Sequence, residues 1–219
     1  MPPRVQYHSI NNDDNHETWT SIKNWLDHQN KGFVVYVALG SEVTPSRDQL
    51  IELANGLELS GCLSFELSDS DPIELSSGFE ERVSGRGIVW RSWVPQFKIL
   101  SHESVGGFLT HCGWSSIVEG LMFGHPLITL PFLVDQGLNS RVVVENQLGR
   151  EIPRNEQDGS YTRNSVADSV KLVMLDQEGR KFRERAHEMS KVFSDTELHS
   201  RYINNAIEFL EDHRSVGRT

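Results

Sequence analysis

The chain has 219 residues, of which 37% are hydrophobic and 24% charged, the mix of an ordinary globular domain long enough to bury a core without staples. Its formal net charge of -10 argues against a nucleic-acid groove, which needs a basic surface, and against docking on an anionic membrane. The two cysteines, Cys62 and Cys112, form no CxxC pair, so neither a disulfide framework nor a zinc knuckle is indicated.

Residues 1–15 are polar, with Pro2, Pro3 and the acidic pair Asp13 and Asp14, and read as a linker or tail. Trp19, Ile22, Trp25 and Leu26 share one face of an amphipathic helix. Residues 33–38 are a nearly continuous apolar, β-branched run, the pattern of a strand buried on both faces of a parallel sheet. The run ends at Gly40-Ser41, and a helix starts at Ser46, where Ser46 and Gln49 have capping-box spacing. Leu50, Leu53 and Leu57 supply its buried stripe.

The alternation then repeats. Residues 63–67 read as a weak strand, 87–90 as a short one and 105–110 as a stronger one. A helix over 115–123, a strand over 126–130 and a helix over 136–147 follow. From Thr162 the chain is helical, with apolar faces at Val166, Val170 and Val173, then at Phe182, Ala186, Met189 and Phe193. A last face is formed by Leu198, Tyr202, Ile203, Ala206, Ile207 and Leu210. This order predicts an α/β fold, a Rossmann-like doubly wound parallel sheet with a helical C-terminal segment and right-handed crossovers. One domain is expected over 16–211, with a polar tail at 212–219, and ligands belong at the carboxyl ends of the strands.

The strand at 105–109 runs into Thr110-His111-Cys112-Gly113, and a helix starts at about Trp114. The N–H groups of Gly113 to Ser116 are then donors without intrahelical partners at a positive dipole end. The Ser115 and Ser116 hydroxyls and His111 stand beside them, which makes an anion site suited to a phosphate. Glu119 lies one turn further on the same side, where a carboxylate can accept both hydroxyls of a ribose. Plainer readings of the same residues stand beside this one: Ser115 as an N-cap, His111 as a packed loop histidine, Trp93 as a strand-end core residue, Trp114 as a helix-start staple and Asp135 as the cap of the next helix. Cys112 reads as a small buried residue. Asp69-Ser-Asp71 fits a manganese-binding DxD pattern but sits in a Ser/Asp-rich loop and reads as solvent-exposed; His125, in a turn, is given no role, and no cluster has metal-ligand spacing.

From Trp93 to Gln136 the chain resembles, almost position for position, the plant secondary product glycosyltransferase box, which begins with Trp, carries HCGW and then Glu, and ends in Asp-Gln. The likeness extends from about Trp19 to about Leu210. GFLTHCGWSS, LPFLVDQGLNSR and GFEERV are similar to the branch that glycosylates flavonoid, saponin or terpenoid glycosides. The resemblance implies the C-terminal, donor-binding half of a GT-B UDP-dependent glycosyltransferase. It implies that Trp93 stacks on uracil, the Val94 backbone pairs with the uracil edge, and Gln96 and Glu119 hold the ribose. It implies that His111, Gly113, Ser115 and Ser116 hold the diphosphate, with Ser41 touching it from the other side, and that Trp114, Asp135 and Gln136 face the sugar.

The implied partner is a UDP-sugar acting as co-substrate, with no separate cofactor, no metal, no nucleic acid and no membrane, in the cytoplasm. Gln136 suggests glucose as the sugar, with rhamnose as an alternative. Family members carry the acceptor pocket, the catalytic His and its Asp in their first half. Nothing in this sequence matches those positions, so no catalytic residue is nominated, and an acceptor is expected only with an N-terminal domain. Two departures stand out: residues 61–74 replace a Phe-Phe-Trp strand and following Arg with Cys62-Leu-Ser-Phe-Glu-Leu67 and a Ser/Asp run, and Ser115 stands where many members have Asn. The rival expectations are a non-catalytic UDP-sugar-binding module or an inactive truncated fragment.

Overall fold

The computed structural model describes residues 12–40, 45–62, 65–66, 78–90 and 94–214. Four parallel strands form the main sheet in the order β1 (Val34–Ala38), β4 (Val105–Thr110), β5 (Leu127–Thr129) and β6 (Gly149–Glu151). A second parallel pair, β2 (Phe65–Glu66) and β3 (Val89–Trp90), brings β2 alongside β1. The combined sequence β3-β2-β1-β4-β5-β6 is the doubly wound order, and its direction reverses between β1 and β4.

The central strands β1, β4 and β5 are buried on both faces, as their apolar runs predict. Along β1, Val35 and Val37 join one core cluster while Val34, Tyr36 and Ala38 join the other. The period of two sends successive side chains to opposite faces. Leu109 and Ile128 continue the first cluster across β4 and β5, and Phe108 and Leu127 the second. Tyr36 stacks on Phe108 across the β1–β4 pair, with ring centroids 5.3 Å apart.

The first face is covered by α2 (Arg47–Ser60) and α7 (Arg163–Met174). The predicted capping box of α2 is present: the Ser46 hydroxyl accepts the Gln49 N–H, and the Gln49 carboxamide accepts the Ser46 N–H. Gly56 lets α2 and α7 approach closely, because a Cβ there would sit 2.5 Å from the Cβ of Val166. The other face is covered by α1 (Asn12–Asp27), α5 (Trp114–Met122) and α8 (Arg180–Phe193), through Ile22, Leu26, Ile117, Leu121 and Ala186. The last helix, α9 (Thr196–Arg214), has no buried residue, and its Tyr202, Ile207, Phe209 and Leu210 are exposed.

Several details differ from expectation. Phe33 lies outside β1 and is 56% exposed. Strand β6 and the short helices α3 (Phe79–Val83) and α4 (Gln96–Leu100) were not expected. The remaining helix, α6 (Gln136–Glu145), ends before the predicted 147, and Gln147 turns the chain with φ 57°. Helix α1 begins inside the stretch read as a tail, and α9 extends past 211. Of the strand expected at 63–67, only Phe65–Glu66 is among the described residues, and Asp69 and Asp71 lie outside them.

Candidate functional site

The site sits where the strand order reverses, at the carboxyl ends of β1 and β4. After β1 the chain turns at Gly40, with φ 73°. After β4 it passes through His111, Cys112 and Gly113 into α5. A Cβ on Gly40 would lie 2.6 Å from Cε1 of His111, and one on Gly113 would lie 2.6 Å from its Nε2. The imidazole therefore fills the space between two bare stretches of backbone, and both glycines are required for it to lie there.

Helix α5 starts with Gly113 at its N-cap and no side-chain capping bond. The N-cap reading of Ser115 is thereby corrected: Ser115 lies in the first helical turn and is exposed. The first N–H groups of α5 are left for another acceptor, at the positive end of the helix dipole. Trp114 is 53% exposed, so it is no buried staple, while Ser116 is half-buried.

Cys112 holds the turn in shape. It is a non-glycine residue with φ 69°, a conformation that costs roughly 1–2 kcal/mol. Its N–H donates to the Thr110 hydroxyl at 3.2 Å, and its carbonyl accepts from Nδ2 of Asn139 at 3.1 Å. The side chain is fully buried, and burial pushes its thiol up to about 12, so it is protonated and packs as a small apolar group.

Further along α5, Glu119 meets Gln96. The Gln96 carboxamide donates to Oε2 of Glu119 at 2.7 Å. Gln96 opens α4, just after Val94, which is buried and whose carbonyl accepts the Gln96 N–H at 2.9 Å. His125 supports α4 from below: it is buried in the α5–β5 turn, and its Nε2–H donates to the Leu100 carbonyl at 2.6 Å. The expectation that His125 has no role is thus revised to a structural one. Trp93 and Ser41, expected on either side of the ligand, lie outside the described residues.

Asp135 ends the β5–α6 loop and Gln136 opens α6; the loop passes through a strained point. Val134 has φ 48° and is 98% exposed. A β-branched residue in the left-handed region persists only where its surroundings over-determine it. Three side chains do so. Oε1 of the buried Gln136 accepts the N–H groups of Phe132 at 2.8 Å and Leu133 at 2.9 Å. Arg154 donates to the Pro131 and Gly159 carbonyls and lies over the rings of Phe132 and Tyr161. Nδ2 of Asn139 donates to Oδ2 of Asp135 at 3.1 Å.

Two readings change as a result. Asp135 occupies the N-cap of α6, but its exposed carboxylate makes no capping bond and binds Asn139 instead. Gln136 commits its oxygen to the loop, so only its NH₂ group remains to face a ligand, and it can donate but not accept.

Behind the loop, Ser140 donates to Oε2 of Glu151 at 2.6 Å and lies 2.7 Å from the Thr129 hydroxyl. The one proton of Ser140 goes to the carboxylate, so Thr129 is the donor in that pair. Asn139, Arg154 and the Ser140 relay were not nominated from sequence; the only hint was that Asn139 and Ser140 fall within the LPFLVDQGLNSR segment. Among the described residues, no group of three or more His, Cys, Asp or Glu could hold a metal ion, and no helix is long and apolar enough to cross a membrane.

The reversal of strand order between β1 and β4, with an uncapped helix start beside it, is the place in a doubly wound α/β sheet where ligands and anions are bound. The profile of the UDP-glucoronosyl and UDP-glucosyl transferase family matches residues 6–212, and the chain belongs to that family. It is 52% identical over 219 residues to UDP-glycosyltransferase 91D2 of Stevia rebaudiana, covering 96% of this chain and 45% of that protein. It is 46% identical over 217 residues to soyasaponin III rhamnosyltransferase of Glycine max, covering 98% and 46%.

Among solved structures, UGT2 of Phytolacca americana complexed with UDP-2fluoro-glucose and pterostilbene superposes with a TM-score of 0.72 at 40% identity, over 78% of this chain and 39% of that one. Os79 of O. sativa in complex with UDP gives 0.74 at 30% identity, over 80% and 39%. The fold is that of the C-terminal half of the GT-B plant glycosyltransferases. The chain spans about half the length of the curated relatives it matches.

Proposed function

We propose that this chain is the donor-binding half of a cytoplasmic UDP-glycosyltransferase, holding a UDP-sugar while a hydroxyl of a plant secondary metabolite, or of its glycoside, attacks the sugar. The observation that carries the reading is the uncapped start of α5, with His111 seated between Gly40 and Gly113 and the Gln96–Glu119 pair further along the same helix. Trp114 and Glu119 are five positions apart, a rise of about 7.5 Å along the helix, which sets the diphosphate end of the ligand at the start of α5 apart from its ribose. Glu119 and Gln96 then exchange hydrogen bonds with the ribose, with Trp93 and the Val94 backbone on the uracil. His111, the Gly113 N–H, Ser115 and Ser116 hold the diphosphate, with Ser41 from the β1 side. Asp135, Gln136 and Trp114 face the sugar.

In this reading the chain contributes positioning and charge stabilisation. The N–H groups and dipole of α5 stabilise charge on the departing UDP. General-base activation of the acceptor hydroxyl belongs to an acceptor-binding half. No metal or separate cofactor takes part. Glucose and rhamnose are the sugars to test, rhamnose because one relative is a soyasaponin rhamnosyltransferase.

The test is calorimetry with UDP, UDP-glucose and UDP-rhamnose, followed by transfer assays with and without an acceptor half supplied from a relative. Binding by this chain, with transfer only on mixing, is the expected result. Binding never accompanied by transfer leaves a UDP-sugar-binding module, and no binding at all overturns the reading.

A further inference from the structure

The peptide between Cys112 and Gly113 stands in the turn from the end of β4 to the start of α5, and its orientation is not set by helix or sheet. Its carbonyl is held by Nδ2 of Asn139 from α6. In a trans peptide the carbonyl and the N–H point in opposite directions. Drawing the Cys112 carbonyl toward α6 therefore turns the Gly113 N–H away from α6. Gly113, with Gly40, also packs against His111. The same Nδ2 donates to Asp135, at the same 3.1 Å. One NH₂ group, with its two protons, thus joins the turn after β4 to the loop after β5.

We propose that Asn139 is a positioning residue for the donor site: it aims the Gly113 N–H at the diphosphate and ties that peptide to Asp135 on the sugar side. The inference rests on the UDP-sugar reading above. Asn139 touches no ligand in this scheme. Removing its NH₂ group frees a left-handed residue, Cys112, to relax, because among the described residues the remaining hydrogen bond of its backbone is the one to the Thr110 hydroxyl. The Gln96–Glu119 pair joins α4 to a point more than one turn into α5, makes no bond to Asn139, and is not disturbed.

The variants are Asn139→Ala and Asn139→Asp, titrated calorimetrically with uridine and with UDP. For Asn139→Ala, UDP affinity falls by roughly tenfold while uridine affinity stays within about twofold. A general loss of fold would weaken both alike, and that result overturns the proposal, as does unchanged UDP affinity.

Asn139→Asp supplies the second readout. At neutral pH a carboxylate at 139 cannot donate and repels Asp135, so UDP binding falls. On acidification the new carboxyl, raised by its neighbour, takes up a proton and regains one donor. Its UDP affinity relative to wild type therefore rises as the pH drops, whereas the Ala variant's ratio stays flat; a flat ratio for both variants sinks the idea.

Failure of the functional reading is distinguishable. If wild type binds no UDP, the loop is followed through the buried Cys112 thiol in a Cys62→Ser background. Faster thiol labelling in Asn139→Ala, at unchanged melting temperature, keeps the positioning role without the ligand. Unchanged labelling removes both.

Discussion

The proposed nucleoside end and the proposed sugar end of the crevice are built in opposite ways. At the nucleoside end, Gln96 and Glu119 satisfy each other through one hydrogen bond between side chains. At the sugar end, polar side chains are spent mostly on backbone: Gln136 on two N–H groups, Arg154 on two carbonyls, and Asn139 on one carbonyl besides the Asp135 carboxylate. A loop containing a left-handed valine needs such ties, whereas an element start like that of α4 does not. The contrast teaches that residues at the two ends fail differently. Losing one at the sugar end damages the loop itself; losing one at the nucleoside end damages only what the pair would hold.

The largest effect that could break this contrast is at Gln136. Gln136→Ala leaves the Phe132 and Leu133 N–H groups without their acceptor, at a cost of about 2–3 kcal/mol in chemical denaturation. Gln136→Glu keeps a carboxylate to accept both and loses far less stability, while losing the NH₂ donor that the sugar would use. Equal destabilisation by the two variants would show that the loop does not depend on that oxygen.

Next in size is Glu119→Ala. It weakens UDP binding by about ten- to a hundredfold, because the hydrogen bonds lost are to a charged group, and it leaves the denaturation midpoint nearly unchanged. Gln96→Ala goes the same way with a smaller loss. A large stability loss in either would mean that the pair is part of the frame, as at the other end. Trp93→Ala is expected to remove a stacking contribution of roughly 1–3 kcal/mol from UDP binding.

His125 sharpens the comparison by pH. It is buried, and burial lowers its pKa from the ordinary value. The unfolded chain then binds more protons than the folded one below about 6.5, so this group's contribution is complete above that pH and is lost as the pH falls. The slope is at most about 1.4 kcal/mol per pH unit. Since His125 props α4, acidification toward pH 5.5 is expected to loosen the Gln96 side first. In hydrogen exchange, α4 amides should lose protection before those of α6, and His125→Gln should flatten the pH dependence. Simultaneous loss at both helices would refute the assignment.

Much of this was legible from local pattern. The run Val34 to Ala38 announces a doubly buried strand because β-branched residues on both parities leave no polar face. The segment from Thr110 to Trp114 announces a strand running through a short turn into a helix, and the helix start it leads to carries no side-chain cap. What was hidden depends on meetings in three dimensions. Asn139 reaches Cys112 across 27 residues and Arg154 reaches Pro131 across 23, and neither spacing leaves a periodic mark. Strand β6 escaped because Arg150 and Glu151 break its apolar pattern. Only its backbone fit reveals it, since any Cβ on Gly149 would meet the Leu127 carbonyl at 1.8 Å.

The smallest effect serves as a control away from both ends. Glu52 on α2 accepts from the side chain and the backbone N–H of Arg163 on α7. The Arg163 hydrogen bond holds its carboxyl below the ordinary carboxylate value. A depressed carboxylate stabilises the fold above the unfolded value of about 4.3 and loses that contribution as the pH falls through the folded value. The pair is partly exposed, so Glu52→Gln costs under about 1 kcal/mol at pH 7. The variant and wild type should converge in stability as the pH falls through the lowered value of the folded carboxyl, and UDP affinity should not change at any pH where both are folded. A change in UDP affinity would mean that the α2–α7 face communicates with the crevice, and the independence assumed for its two ends would then have to be given up.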